Sequence, residues 1–180
     1  MLRRSARFGL GISFLILVVA APARGDSVSL KLGEIKGEST AARHEGEIDI
    51  LSWSWGASNP RAIATRTGMS AGRVSITDLT LMKVADSATP KLFELVATGT
   101  HVPKAVLTVR KGGGDQFEYV RITLEDVIVS ALQLSGAGER PSESVSLSFG
   151  KVTVEYRPQL ATGAPADWIS ASWNVRTATP

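Results

Sequence analysis

Residues suited to chemistry are few: His44 and His101 are the only imidazoles in the 180-residue chain, and cysteine is absent. Neither histidine has a partner at the H-x-x-x-H or H-E-x-x-H spacing that sets two nitrogens on one helix face for zinc, so no metal site is expected. His44 beside Glu45 or Glu47 is the one place where hydrolytic chemistry could be assembled, but no nucleophile or ligand pattern supports it, and a lone histidine is expected to be structural. The many serines read as the solvent faces of strands rather than as an activated nucleophile. Glu125 and Asp126 are adjacent, and neighbours on a strand face opposite ways, so they are not expected to work as a paired acid and base. Gly112 to Gly114 lacks the Gly-Lys-Ser/Thr ending of a phosphate loop and reads as a hairpin turn. No catalytic residue and no cofactor is predicted.

Binding chemistry has a better candidate in Trp53, Trp55, Trp168 and Trp173, which could form a sugar-stacking platform. Trp53 and Trp55, however, alternate in phase with Leu51, which points to core packing. Arg24-Gly25-Asp26 spells an adhesion tripeptide that chance explains.

The elements that must carry these side chains are mostly strands, because apolar residues recur with period two between clusters of Gly, Pro, Ser and Asn. Val28, Leu30 and Leu32 alternate, as do Ala105, Leu107 and Val109, and Ile169, Ala171, Trp173 and Val175. In three places the alternation changes phase: Ile48 and Ile50 give way to Leu51, Trp53 and Trp55; Val74 and Ile76 to Leu79 and Leu81; Val145, Leu147 and Phe149 to Val152, Val154 and Tyr156. Each slip implies a bulge or bend, with Gly150 at the third. Repeated bends curl a sheet, and without βαβ alternation the expected fold is mainly β, a flattened barrel or tight two-sheet sandwich. Residues 120–134 read as two strands joined near Glu125 and Asp126. A helix is predicted from Thr89 as N-cap, with Pro90 at its first position, to Gly99 just past its end. Its Leu92, Leu95 and Val96 share one face, which is expected to cover the β core. Residues 56–72 show little periodicity, and loops beyond roughly 12 to 15 residues are usually functional or mobile.

At the N-terminus, Arg3, Arg4 and Arg7 precede a mostly apolar run over 8–20 and the small residues Ala21, Pro22 and Ala23. That order predicts a signal peptide over 1–23, cleaved after Ala23, and one domain over 24–180. The run is shorter than the roughly 20 apolar residues that span a bilayer, so no membrane association is expected after its removal. The leader would take three of the 20 Lys plus Arg and none of the 17 Asp plus Glu, leaving a neutral chain with no basic cluster. Nucleic-acid binding is therefore disfavoured. Secreted or periplasmic localisation follows.

Set in order, several landmarks resemble Hcp, the tube protein of bacterial type VI secretion systems. They are Gly37-Glu38-Ser39-Thr40, His44, Ile48 to Gly56 ending in Trp55-Gly56, Asp86 to Leu92 leading the helix, the Gly136 to Ser144 turn with Pro141 and Glu143, and Glu155-Tyr156-Arg157-Pro158-Gln159. The resemblance implies a single antiparallel β-barrel of two curled sheets with one flanking α-helix. It also implies homohexameric rings that stack into a tube, with small secreted effectors in the lumen and tube-tip proteins as further partners. On this view residues 58–71 match the loop that helps rings stack, with Asn59, Arg61 and Arg66 as contacts. A cleavable leader departs from the family, whose tube-building members assemble in the cytoplasm. It suggests an exported Hcp-like protein with a separate role, of which a glycan-binding β module is one form.

Overall fold

A computed structural model of the chain describes residues 25–59, 61–62, 70–71, 74–112, 117–136 and 139–180, with backbone alone at 61–62 and 70–71. The expected leader lies outside these residues. In chain order the elements are β1 (Ser27–Leu32), β2 (Ile48–Ile50), β3 (Ser52–Ser54), β4 (Ala57–Ser58), β5 (Arg61–Ala62), β6 (Ser70–Ala71), β7 (Ser75–Ile76), β8 (Leu79–Val84), α1 (Thr89–Thr98), β9 (Val102–Arg110), β10 (Glu118–Ser135), β11 (Ser142–Tyr156) and β12 (Ile169–Asn174).

The main sheet runs β2-β1-β9-β10-β11-β8-β3, with β12 added on the far half of β11. Its two ends are the same stretch of chain, because β2 and β3 are separated only by Leu51. Ile48 to Ile50 pair with β1, and Ser52 to Ser54 pair with β8. The sheet thus closes into a barrel at a one-residue joint. Leu51 points out at that joint, 65% exposed, while its backbone N–H donates to Met82 O at 2.7 Å. The first phase slip is real, but Leu51 and Trp53 fall on its outer side, against the expectation of core packing; Trp55 does pack against the core.

The interior is lined by the inward residues of each strand, including Leu30, Leu32, Ile48, Leu79, Leu81, Leu107, Ile122, Leu124, Val145 and Leu147. At 25 to 30 cal/mol per Å² of apolar surface, such burial is the main stabilising term in a chain without staples. α1 lies over this core through Leu92, Leu95 and Val96, as expected of a lid. Its start differs from expectation. Thr89 is the first helical residue, Ala88 is the N-cap, and Asp86 Oδ1 accepts from Ala88 N–H (2.9 Å) while Thr89 Oγ1 accepts from Asp86 N–H (3.1 Å). Gly99, at φ +63°, ends the helix in the left-handed conformation that glycine adopts most easily.

Residues 120–134 are not two strands. β10 is continuous, and its alternation slips from Leu124 to Val127 while that of β11 slips from Leu147 to Gly150. Asp126 (φ +56°) faces Gly150 across the pair, and the register is the same on both sides of this corner. A Cβ on Gly150 would meet Asp126 Oδ2 at 3.1 Å, so the missing side chain makes room for the kinked aspartate. A separate register shift lies between Val129 and Ala131.

Candidate assembly site

The stretch expected to be an irregular loop, 56–72, instead carries short paired strands, and with β7 just beyond it the described residues make an antiparallel arm of two short ladders. Ala57 and Ser58 pair with Ile76 and Ser75, and Arg61 and Ala62 pair with Ala71 and Ser70. Its base is closed by Thr77 N–H donating to Gly56 O (3.0 Å) and Gly56 N–H donating to Thr77 Oγ1 (3.1 Å). Small residues hide the period-two signal here, since alternation is visible only where apolar and polar side chains contrast. Asn59 is exposed just after β4, Arg61 lies in β5, and Arg66 is outside the described residues.

A second assembly feature is β12, which pairs with β11 along one side and, among the described residues, is met on the other only at Asn174, whose N–H donates to Thr179 O (2.7 Å). Unpaired N–H and C=O groups along a strand edge are a template for another chain. Ile169 pairs in register with Tyr156, and both are exposed, so an apolar pair sits at the end of this edge.

Around the barrel ends, the candidate chemical groups are engaged in structural work. His44 is buried between two carboxylates, with Nδ1 donating to Glu47 Oε2 (2.7 Å) and Nε2 at 3.4 Å from Glu118 Oε1. Half-burial is the largest influence on Glu118 and acts upward, but the hydrogen bond from Arg121 and the nearby charges of His44 and Arg121 hold its carboxyl below the usual range. Asp26, from the adhesion-like tripeptide, accepts from Gly112 N–H and Tyr119 O–H, both at 3.0 Å. These bonds lower the Asp26 carboxyl, while burial and then Asp26 itself push the Tyr119 phenol up. The turn after β9 is closed by Lys111 N–H donating to Phe117 O (2.8 Å), with residues 113–116 outside the described set.

The sequence does hold one run with the spacing of a nucleophile elbow, Gly68-Met69-Ser70-Ala71-Gly72, where none was expected. Its Ser70 lies in β6, paired with Ala62, whereas an elbow needs a strand-to-helix turn. The tryptophans do not gather into a platform. Trp55 and Trp173 pack against the core, and Trp168 is covered by Arg121 (4.5 Å) and Arg157 (5.5 Å). Among the described residues no group of three or more His, Asp or Glu is placed to hold a metal ion.

Glu125 and Asp126 do border one depression, because the left-handed Asp126 breaks the alternation that would have separated them. Asp126 Oδ1 accepts from His101 Nδ1 (2.7 Å), and Oδ2 pairs with Arg176 Nη1 (2.9 Å). The His101 hydrogen bond lowers the Asp126 carboxyl, slight burial opposes it, and Arg176 adds to the lowering. A depressed carboxyl contributes stability above its ordinary value near about 4 and loses it as pH falls through the folded-state value. Asp126→Asn, which tolerates a left-handed φ, should therefore be less stable than the parent at neutral pH. The gap in urea midpoints should narrow on acidification below the usual carboxylate range.

The comparisons give this architecture its family. The family model described as "Type VI secretion system effector, Hcp" matches residues 30–156. The chain is 42% identical over 151 residues to protein hcp1 of Pseudomonas aeruginosa, spanning 82% of this chain and 93% of that protein. The chain belongs to the Hcp family. Among solved structures, a type six secretion system protein superposes with a TM-score of 0.80 at 30% identity, covering 85% of this chain and 98% of that one. Hcp1 from Salmonella typhimurium gives 0.68 at 32% identity, covering 87% and 99%. A likeness to the terminating cap of an anti-feeding prophage tube, at 12% identity and a TM-score of 0.51, is one of fold alone. Hcp proteins are structural subunits that form hexameric rings and tubes in type VI secretion, and this chain is a tube subunit of that family. The nearly closed barrel with one helix is the Hcp architecture that the resemblance implied.

Proposed function

We propose that residues 24–180 close into homohexameric rings that stack, with the arm over 58–71 bridging rings and Asn59, Arg61 and Arg66 making its contacts. Family membership carries this reading, and the outer edge of β12, bridged only at Asn174 among the described residues, and the paired arm support it: ring closure joins two different faces of one subunit, which suits edges and arms rather than clefts. The work is structural, without turnover. The lumen would take small effectors, and tube-tip proteins would cap the stack. The leader-like order over 1–23 supports export with cleavage after Ala23, and so a secreted or periplasmic ring.

Light scattering after size exclusion tests this on protein recovered from an exporting host. A hexamer mass is expected, with an intact subunit mass that begins at Arg24. Alanine at 59, 61 and 66 should leave the single ring and remove larger stacks. A clean monomer would sink the ring.

A further inference from the structure

Beyond assembly, we propose that the end of the barrel around Arg157 is a binding site for the carboxylate of a peptide segment. The site is a depression of about 380 Å³ lined by Arg43, Phe117, Glu118, Arg157, Gln159 and Pro165, among others. Its central group is the half-buried Arg157, whose guanidinium is fixed on three sides. Nε donates to Ala166 O at 2.8 Å, and the Trp168 and Phe117 rings lie 5.5 and 5.9 Å away. The carbonyl that aims it is itself held by a tight hairpin, in which Ala166 N–H donates to Pro158 O, Leu160 N–H to Ala164 O, and Gln159 Nε2 to Gly163 O, at 2.8 to 2.9 Å.

An arginine held this way has already given up the rotamer freedom that binding would otherwise remove. Yet among the described residues no carboxylate lies within ion-pair distance of Arg157 or of exposed Arg43, whose backbone stands at φ +69°. The acid on the wall is already satisfied: Glu118 accepts from Arg121 Nη2 at 3.0 Å and faces His44. The depression therefore presents two uncompensated guanidinium groups and one neutralised carboxylate. A planar carboxylate fits this arrangement, because arginine can grip it with two parallel hydrogen bonds and, among the described residues, only Nε of Arg157 is already engaged.

A peptide is favoured over a free acid because the site continues. A second depression of about 230 Å³ shares Phe117, Arg157 and Gln159, and adds Lys111, Tyr119, Tyr156 and Asp26, whose carboxylate is taken up by Gly112 N–H and Tyr119 O–H. An extended segment could lay its acid against Arg157 and a neighbouring side chain against these rings.

The test is a titration of the full mature protein, followed by tryptophan fluorescence, which Trp168 reports from inside the stack. The probes are acetyl-Ala-Glu-Ala-amide, the same peptide with Gln for Glu, and acetyl-Ala-Ala-Ala with a free carboxyl end. Saturation by the Glu peptide, by the free-ended peptide, or by both, without saturation by the Gln peptide, supports the site and tells an internal acid from a chain end. Arg157→Gln should weaken binding at least about tenfold, the range expected for losing a charge-assisted hydrogen bond. Arg43→Gln, which disturbs no packing, should weaken it several-fold and keeps the test sound if Arg157→Gln misfolds. Equal responses to the Glu and Gln peptides, or affinity unchanged in Arg43→Gln and in a folded Arg157→Gln, would overturn the site. Light scattering of the same sample reports assembly separately, so failure of the ring and failure of the site are distinguishable.

Discussion

Lys83→Met should destabilise the barrel by about 3–5 kcal/mol, the range for stranding one member of a buried ion pair. Lys83 and Glu143 are 1% and 0% exposed, and Lys83 Nζ reaches Glu143 Oε2, Asp86 Oδ1 and Val84 O, each at 2.8 Å. The Glu143 carboxylate depends on that ammonium, since its other oxygen, Oε1, is buried without a hydrogen bond. Glu143→Gln should be milder, because Lys83 keeps Asp86. The double change Lys83→Met with Glu143→Met should recover most of the loss, as apolar pairs of similar volume often replace buried ion pairs without penalty. Urea denaturation of the parent, Lys83→Met, Glu143→Met and the double mutant forms the cycle. A double mutant no better than Lys83→Met alone would mean that the cluster works through helix placement rather than charge, since Asp86 also accepts the N-cap Ala88 N–H.

Gly37→Ala should lower stability by about 3 kcal/mol, at the upper end of what overpacking costs. A Cβ at Gly37 would run into Glu47 O, and would lie 2.7 Å from Ile48 Cα and 2.8 Å from Glu47 C. All three are backbone atoms of the segment leading into β2, so no rotamer change relieves the contact. The backbone is already tied there, with Gly37 N–H donating to Gly46 O (2.9 Å) and Ser39 N–H to Glu47 O (3.0 Å). Gly136→Ala is the control, because nothing lies within 4 Å of its added Cβ, and it should stay within about 0.5 kcal/mol of the parent. Equal melting temperatures for the two variants would show that the β1–β2 connection yields freely.

Much of this was legible in the sequence, and the failures have definite causes. Period-two alternation located the long strands, and the Pro90 and Gly99 signals placed the helix. The slip in β11 was read correctly as a bend, but the matching slip in β10 was read as a break. A single sequence does not show that Asp126 and Gly150 face each other and turn the corner together. The buried charges did leave a signal: Lys83 continues the inward phase of Leu79 and Leu81, and Glu143 that of Val145 and Leu147. One charge at an inward position looks like an error in phase, whereas two of opposite sign on different strands identify a partnership. The site at Arg157 was visible only as a landmark run, because its walls come from residues near 43, 117, 157 and 165, far apart in the chain.

The one-residue joint at Leu51 has a further consequence for how the chain is made. β3 cannot find its sheet partner until β8 exists, β8 waits for the first half of β11, and β1 waits for β9. Nascent chains emerging from the ribosome therefore carry unpaired strands until almost the whole barrel has been synthesised, and such non-local pairing is slow. The β10–β11 hairpin, local in sequence and paired from Val120 to Ser135, is the natural nucleus. Until it forms, the chain exposes unpaired strands, and is threadable through a narrow channel in a way that the closed barrel is not.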